Sequence, residues 1–190
     1  MDASETLQAF CRQARERSRE NREALALLHG ADLHGNVVGV LRQELDSMVR
    51  VIFLLSIEDS ARRESLVRDA VNGQTWKSPR KGRVTDREMV ELAERLHGWT
   101  RSVYRFGCGF IHLSNLHDYR ERDPLHDLSE EDKSDILGHL RQYHGGPASE
   151  SPSFDEVARY LPRVFEKVAS NLECYLNQLE RGAALELDGA

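Results

Sequence analysis

Apolar residues recur at helical spacing along most of the chain. The clearest stripe takes alternating steps of three and four residues and consists of Val38, Leu41, Leu45, Met48, Ile52 and Leu55. This spacing places side chains on one face of an α-helix. No stretch shows the clean alternation of apolar and polar residues that is typical of a half-buried strand. The pattern therefore predicts an all-α fold, a single bundle of five to seven helices.

Capping and helix-breaking residues place the helix boundaries. Thr85 and Ser153 each open a capping box, a Ser or Thr followed three residues later by Glu. The predicted helices cover about residues 4–28, 38–55, 60–71, 85–119, 129–143 and 153–181. The fourth is expected to bend at Gly98, and Pro162 either kinks the last helical region or starts a new segment in it. The second, fourth and last of these regions are predicted to form the core.

The length of 190 residues fits one domain. Residues 1–190 are therefore interpreted as a single helical domain. Its highly charged N-terminal helix lies within residues 1–30, with Ser4 as the candidate N-cap, and residues 182–190 are expected to form a frayed tail.

Composition limits the compartment and the kind of partner. The 26 Lys and Arg residues against 32 Asp and Glu give a net charge of −6, which disfavours coating nucleic acid through overall charge, so any contact with RNA must be local. Three cysteines without CxxC spacing indicate neither a disulfide framework nor a cysteine zinc site. The N-terminus lacks the pattern of a secretion signal, and no apolar run is long enough to span a membrane. We therefore expect a cytoplasmic protein without membrane contact.

One loop combines a tryptophan with four basic residues. It lies between residues 74 and 85 and contains Trp76, Lys77, Arg80, Lys81 and Arg83. An aromatic ring among cations is suited to binding single-stranded RNA, so these five residues are candidate RNA-binding residues. The alternative is a mobile, solvated loop.

The segment from Tyr104 to Tyr119 carries the candidate chemistry. Seven residues separate Arg105 from His112, which on a continuous helix puts both side chains on one face, about 10 Å apart along the axis. Asn115 and Tyr119 would continue that face. An imidazole can take or give the proton of a ribose hydroxyl, and a guanidinium can hold the scissile phosphate. The predicted site has His112 as general acid/base, Arg105 as phosphate binder, and Asn115 and Tyr119 as supports.

The Arg-x6-His arrangement on a long helix of a small acidic bundle resembles the HEPN superfamily, whose ribonuclease motif is an Arg followed after four to six residues by a His. The segment from Leu41 to Arg50 also resembles the early amphipathic helix of bacterial HEPN-like proteins, where acidic residues face the motif. The resemblance implies that Glu44 or Asp46 orients His112 or Arg105. The alternative for these two acids is a solvated helix edge, with Asp46 and Arg50 as an ordinary pair one turn apart.

What the resemblance implies about function is a metal-independent endoribonuclease that leaves 2′,3′-cyclic phosphate ends. Such proteins often act in toxin–antitoxin or phage-defence systems, which implies RNA as substrate and a cognate antitoxin or defence-system partner. Many active members have a polar residue after the motif Arg, whereas this chain has Phe106. The alternative function is a non-catalytic interaction or adaptor module in such a complex. By spacing alone, Arg22 and His29 match the motif equally well.

Two further questions remain open on sequence alone. A metal site is a rival interpretation of the residues His112, His117, Asp118, His126 and Asp127, although their spacing suits it poorly. We predict no metal or cofactor.

We also predict a two-fold homodimer that pairs the faces carrying Arg105, Gly109 and His112, since a glycine permits close backbone approach. The alternative is a monomer that uses Gly107 and Gly109 to fit its own second helix.

Overall fold

The structure is a computed structural model that describes residues 2–78, 82–183 and 185. Within these residues it is all-helical, which confirms the predicted fold class. The α-helices are α1 (Ala3–Gly30), α2 (His34–Leu55), α3 (Ser60–Val71), α4 (Asp86–His97), α5 (Thr100–Ile111), α6 (Glu130–His144), α7 (Phe154–Ala158) and α8 (Leu161–Glu180). Two short 3₁₀ turns, Asn115–Asp118 and Pro124–Asp127, connect α5 to α6. Seven of the described helices have twelve or more residues, and α7 is a single short turn.

Helix α2 is the centre of the bundle. It packs against α8, α1, α5 and α4. The six residues of its predicted apolar stripe are all buried, and they meet Phe165, Leu172 and Leu176 of α8 in one continuous core. The predicted core of the second, fourth and last helical regions is thus confirmed.

Local capping accounts for most helix starts. Both predicted capping boxes are present, Thr85 with Glu88 and Ser153 with Glu156. At the N-terminus the structure corrects the prediction, because Asp2 rather than Ser4 is the N-cap and forms a capping box with Glu5. Helix α2 begins at His34, four residues before the predicted start.

The largest correction concerns residues 85–119, which do not form one bent helix. Gly98 adopts the left-handed conformation with φ of 70° and ends α4. Helix α5 then starts afresh, because the carboxylate of Glu94 accepts hydrogen bonds from the hydroxyl of Thr100 at 2.9 Å and the backbone N–H of Arg101 at 2.8 Å. It ends at Ile111, and His112 is extended with ψ of 144°.

The last helical region is also divided. Helix α7 ends at Ala158 and α8 begins at Leu161, with Pro162 in its first turn, where a proline costs no hydrogen bond. Of the predicted tail, residues 184 and 186–190 lie outside the described residues, and Leu185 donates its backbone N–H to the carbonyl of Leu55 at 3.4 Å. None of the helices in the described part of the chain has the length and apolar character that crossing a membrane requires.

Candidate functional site

His112 lies directly after the last turn of α5. Its backbone N–H donates to the carbonyl of Cys108 at 3.2 Å, which holds the residue at the end of the helix. Its side chain is exposed to solvent, and no hydrogen bond or ion pair of the ring is found within the described residues. The imidazole is therefore accessible to a ligand.

The His112 side chain lines a groove between α2 and α5 that we call the arginine groove. Its polar walls are formed by Arg17 of α1, Arg42, Asp46 and Arg50 of α2, Asp86 of α4, and Tyr104 of α5. Arg50 links the two aspartates: its Nε lies 3.0 Å from Asp46 and its Nη2 3.2 Å from Asp86. Arg17 approaches Asp46 at 3.5 Å. Three helices, α1, α2 and α4, thus contribute charge to one surface next to His112.

Arg42 is the most constrained of the three arginines. It is only 7% exposed, its guanidinium carbon lies 4.1 Å from the centre of the Tyr104 ring, and its Nη2 lies 3.7 Å from Asp86. Its buried Nε has no hydrogen-bond partner in the described part of the chain. A buried donor without a partner is costly, so an acceptor that reached this atom would be bound favourably.

Gly107 explains how α5 can lie so close to Arg42. A Cβ at this position would stand 2.8 Å from the Cβ of Arg42, closer than two such atoms can approach. The glycine therefore lets α5 pack closely against α2 of the same chain. This is the role that the sequence analysis gave as the alternative to a contact between two chains.

Gly109 corrects the placement of the predicted dimer interface. A Cβ there would lie 2.3 Å from Leu116 of the same chain, and the carbonyl of Gly109 accepts a hydrogen bond from the Ser114 hydroxyl at 2.6 Å. The space beside this glycine is filled by the chain's own 3₁₀ turn. The homodimer itself stays a prediction, and Gly109 no longer supports it.

Arg105 does not line the arginine groove. Its guanidinium forms an ion pair with Asp132, in the first turn of α6, at 3.1 Å. The Ser129 hydroxyl and, after it, Arg105 hold the pKa of that carboxyl below its usual range. The structure thus separates the two residues of the predicted pair: His112 faces the groove, and Arg105 joins α5 to α6.

Asn115 and Tyr119 do not continue the face of α5, because the helix ends before them. Asn115 lies in the 3₁₀ turn and its amide donates to Asp127 at 2.6 Å. Tyr119 packs among aromatic rings, with Phe154 at 5.6 Å and Phe110 at 6.3 Å between centroids. Both residues stabilise the connection between α5 and α6 where they stand.

The two acids of α2 differ completely in their surroundings. Glu44 is fully buried and accepts hydrogen bonds from the Ser18 hydroxyl at 2.5 Å and the Asn21 amide at 2.9 Å, both on α1. It therefore cannot orient His112. Asp46 lies in the arginine groove with His112 and has the predicted pair with Arg50.

The structure also corrects the expectation for Trp76. The ring is 4% exposed, its Nε1–H donates to the carbonyl of Leu66 at 2.8 Å, and it stacks on Phe53 at 5.7 Å. Such a ring has no face free for a base. Lys77 and Arg83 are exposed, and Arg80 and Lys81 lie outside the described residues.

The rival set of metal ligands does not come together. Asp127 accepts hydrogen bonds from Asn115 and Arg122, and the His117 ring lies against Ser114 and Phe110. Across the described ranges, no group of three or more His, Cys, Asp or Glu side chains has a geometry that could hold a metal ion.

Arg17 and Arg42 were missed by the sequence analysis. A signal existed for Arg42, because it lies four residues after Val38 and seven before Val49, on the buried side of α2. A charged residue at such a position needs a partner or a function. No comparable signal marks Arg17, whose neighbours in the groove come from other helices.

The chain was compared with protein-family models, with curated proteins and with solved structures, and none of them matches it. The resemblance to the HEPN superfamily rests on the motif spacing and the helical architecture.

Proposed function

We propose that the protein is a metal-independent endoribonuclease that cleaves RNA in the arginine groove, with His112 as general acid/base. The observation that carries the proposal is the position of the exposed His112 imidazole, which has no partner among the described residues, on a groove with three arginines. This assignment gives the phosphate-binding role to Arg42 and Arg50 rather than to Arg105.

The charge of the groove supports a phosphate ligand. Three arginines against two aspartates give this surface a net charge of +1, although the whole chain carries −6. Protonation of His112 adds a further positive charge. Burial raises the pKa of Tyr104, so its hydroxyl stays protonated at neutral pH and can donate to a phosphate oxygen.

The reaction needs few groups. Neutral His112 takes the proton of a ribose 2′-hydroxyl, and the freed oxygen attacks the adjacent phosphorus. The bond to the 5′-oxygen breaks, and that oxygen leaves with a proton from solvent or from a protonated imidazole. Arg42 and Arg50 offset the charge that develops on the phosphate oxygens. The products are a 2′,3′-cyclic phosphate and a 5′-hydroxyl end.

An RNA cleavage assay in EDTA tests the proposal. We expect the wild type to produce 2′,3′-cyclic phosphate ends and His112→Ala to lose about 100-fold or more of the rate, the usual contribution of general acid/base catalysis. Free imidazole should restore part of the activity of this variant. His126→Ala is the matched control, since that histidine is also exposed and lies away from the groove, and it should keep the wild-type rate.

Comparison of arginine variants tests whether Arg50 of the groove or Arg105 binds the phosphate. Arg50→Gln leaves Asp46 and Asp86 in the groove without their shared cation, so we expect about a tenfold or larger loss of cleavage. Arg105→Ala should lower the rate by less than about threefold, because it removes only an exposed ion pair. A larger effect of Arg105→Ala than of Arg50→Gln would show that Arg105 binds the phosphate. Cleavage that survives His112→Ala would overturn the mechanism.

A second candidate function is the non-catalytic interaction module. Two apolar side chains beside the groove favour it, since Leu113 is 95% and Ile111 48% exposed. Exposed apolar groups next to a charged groove are typical of partner surfaces, and this edge is also the better place for the predicted homodimer. Binding of RNA or of a protein without any cleavage would favour this candidate.

A further inference from the structure

A second cavity lies on the other side of α5, away from the arginine groove. It opens between α2, α5, α6 and α8, and its volume is about 70 Å³, several times the roughly 10–15 Å³ that one water molecule requires by the same measure. Its walls are mostly apolar and include Leu41, Val103, Phe106, Leu140, Leu161 and Val164. We call it the apolar cavity. A cavity of roughly 150 Å³ holds one benzene ring, so the enclosed part of this one accepts only the end of an apolar chain, and the rest of that chain lies in the open mouth of the cavity.

Basic side chains stand together beside this cavity. Lys167 and His144 belong to its lining. Arg163, one turn before Lys167 on α8, donates to the backbone carbonyl of His144 at 3.0 Å. Burial lowers the pKa of His144, and the charges of Arg163 and Lys167 lower it further.

These cations have no acidic counterpart in the structure. Within residues 2–78, 82–183 and 185, no carboxylate lies within ion-pair distance of Lys167 or Arg163. His139, a further lining residue, has a buried Nδ1 for which the described residues provide no hydrogen-bond partner. Unmatched positive charge beside an apolar cavity is complementary to a molecule that joins an apolar chain to an anion.

We propose that the apolar cavity binds a medium-chain fatty acid, with the end of the alkyl chain enclosed between α5, α6 and α8, the rest of the chain in the mouth of the cavity, and the carboxylate at the exposed Lys167 and Arg163. The apolar walls select the chain, and the uncompensated cations select the carboxylate over a neutral head group. The proposal does not rest on ribonuclease activity, because the cavity and the arginine groove share no lining residue.

Calorimetric titration of the full chain with octanoate, 1-octanol and acetate tests the proposal. Octanoate should bind at one site per chain and raise the thermal midpoint. Shortening the acid should weaken binding by about three- to fourfold for each methylene removed, so acetate should not bind measurably. Octanol should bind about tenfold more weakly than octanoate, since it lacks the charge. Equal binding of the alcohol and the acid, or no binding of octanoate, would overturn the proposal.

Three variants assign the binding to this cavity. Lys167→Glu should weaken octanoate by about tenfold and leave octanol unchanged, whereas Lys133→Glu, with the same change of net charge outside the cavity lining, should leave both unchanged. Val164→Phe places a larger side chain at a half-buried position of the lining and should abolish binding of both ligands with helicity retained. Octanoate binding that is unaffected by Lys167→Glu and Val164→Phe would overturn the proposal. The proposal would also be overturned if the wild type self-associates and Val164→Phe abolishes this self-association. In that case the cavity holds a second copy of the chain.

Discussion

Glu44 is a charged residue in the middle of the core, and its surroundings explain why it is tolerated. The carboxylate has no solvent exposure, and its two oxygens accept hydrogen bonds from Ser18 and Asn21 across the contact between α1 and α2. A buried carboxylate that is fully hydrogen-bonded specifies how its neighbours pack, while the loss of one member leaves the others unsatisfied. Glu44 therefore sets how the charged helix α1 lies on α2.

We expect Glu44→Ala to lower the free energy of unfolding by about 3 kcal/mol, since it leaves two polar side chains without their acceptor and opens a gap in the core. Glu44→Gln keeps the shape and one acceptor oxygen and should cost about 1–2 kcal/mol. Urea denaturation monitored by circular dichroism measures both. Glu20→Ala, at an exposed position of α1, is the control and should change the value by less than about 0.5 kcal/mol. Equal losses of unfolding free energy for Glu44→Ala and Glu20→Ala would show that the buried hydrogen bonds of Glu44 contribute nothing to stability.

The candidate site was only partly predictable at the scale of single residues. The resemblance implied that Glu44 or Asp46 orients His112 or Arg105, and it could not tell which acid lies near which residue. In the structure, Asp46 and His112 line one groove, and Glu44 is buried against α1. The pairing of Arg105 with His112 came from spacing on one helix, which cannot show that Asp132 of α6 lies within reach of Arg105. The groove is assembled from α1, α2, α4 and α5, and contacts between helices leave no periodic signal in the sequence.

At the scale of elements, two glycines have opposite effects on the stability of their helices. Gly98 ends α4 at φ of 70°, a conformation in which an L side chain is strained. Gly138 lies inside α6 with open space where a Cβ would stand. Gly98→Ala should therefore lower the free energy of unfolding by about 1 kcal/mol, and Gly138→Ala should raise it by about 0.5–1 kcal/mol.

Thermal and urea unfolding of the two variants measures these changes of opposite sign. The substitution is the same in both, so a general effect of adding a methyl group cannot produce the difference. Stabilisation by Gly98→Ala would mean that α4 and α5 join into the long helix that the sequence pattern predicted.

The same region shows which features of an element can be predicted from sequence. Capping boxes at Thr85 and Ser153 use atoms three residues apart and were predicted correctly. The break at Gly98 was predicted as a bend, because the glycine alone does not distinguish a bend from an end. What decides it is the side chain of Glu94, which caps the start of α5 after the chain has turned. That contact exists only once the turn has formed.

At the scale of the whole molecule, two partly buried histidines make stability depend on pH. The pKa of His97 is lowered, mainly by burial and then by the charge of Lys167, with Glu94 opposing; its Nε2 lies 3.0 Å from the hydroxyl of Tyr175. The pKa of His144 is lowered by burial, Arg163 and Lys167. In both cases the folded protein favours the neutral ring.

The direction of the pH dependence follows from these shifts. Because the folded pKa of each ring lies below the unfolded value of about 6.5, the unfolded chain binds more protons in the interval between the two values. The stabilisation is fully present above pH 6.5 and is lost as the pH falls through the folded pKa. We expect the free energy of unfolding to decrease between pH 7 and pH 5, with a contribution from each of the two histidines.

Urea denaturation at half-unit pH steps, compared with variants, assigns this loss to the two rings. His97→Gln can keep an acceptor for the hydroxyl of Tyr175, and together with His144→Gln it should flatten the curve between pH 7 and pH 5.5, above the range in which carboxylates titrate. His126→Gln removes an exposed histidine and should leave the slope of the wild type unchanged. A double variant that loses stability on acidification as steeply as the wild type would contradict the assignment, because the protons would then be taken up by other groups.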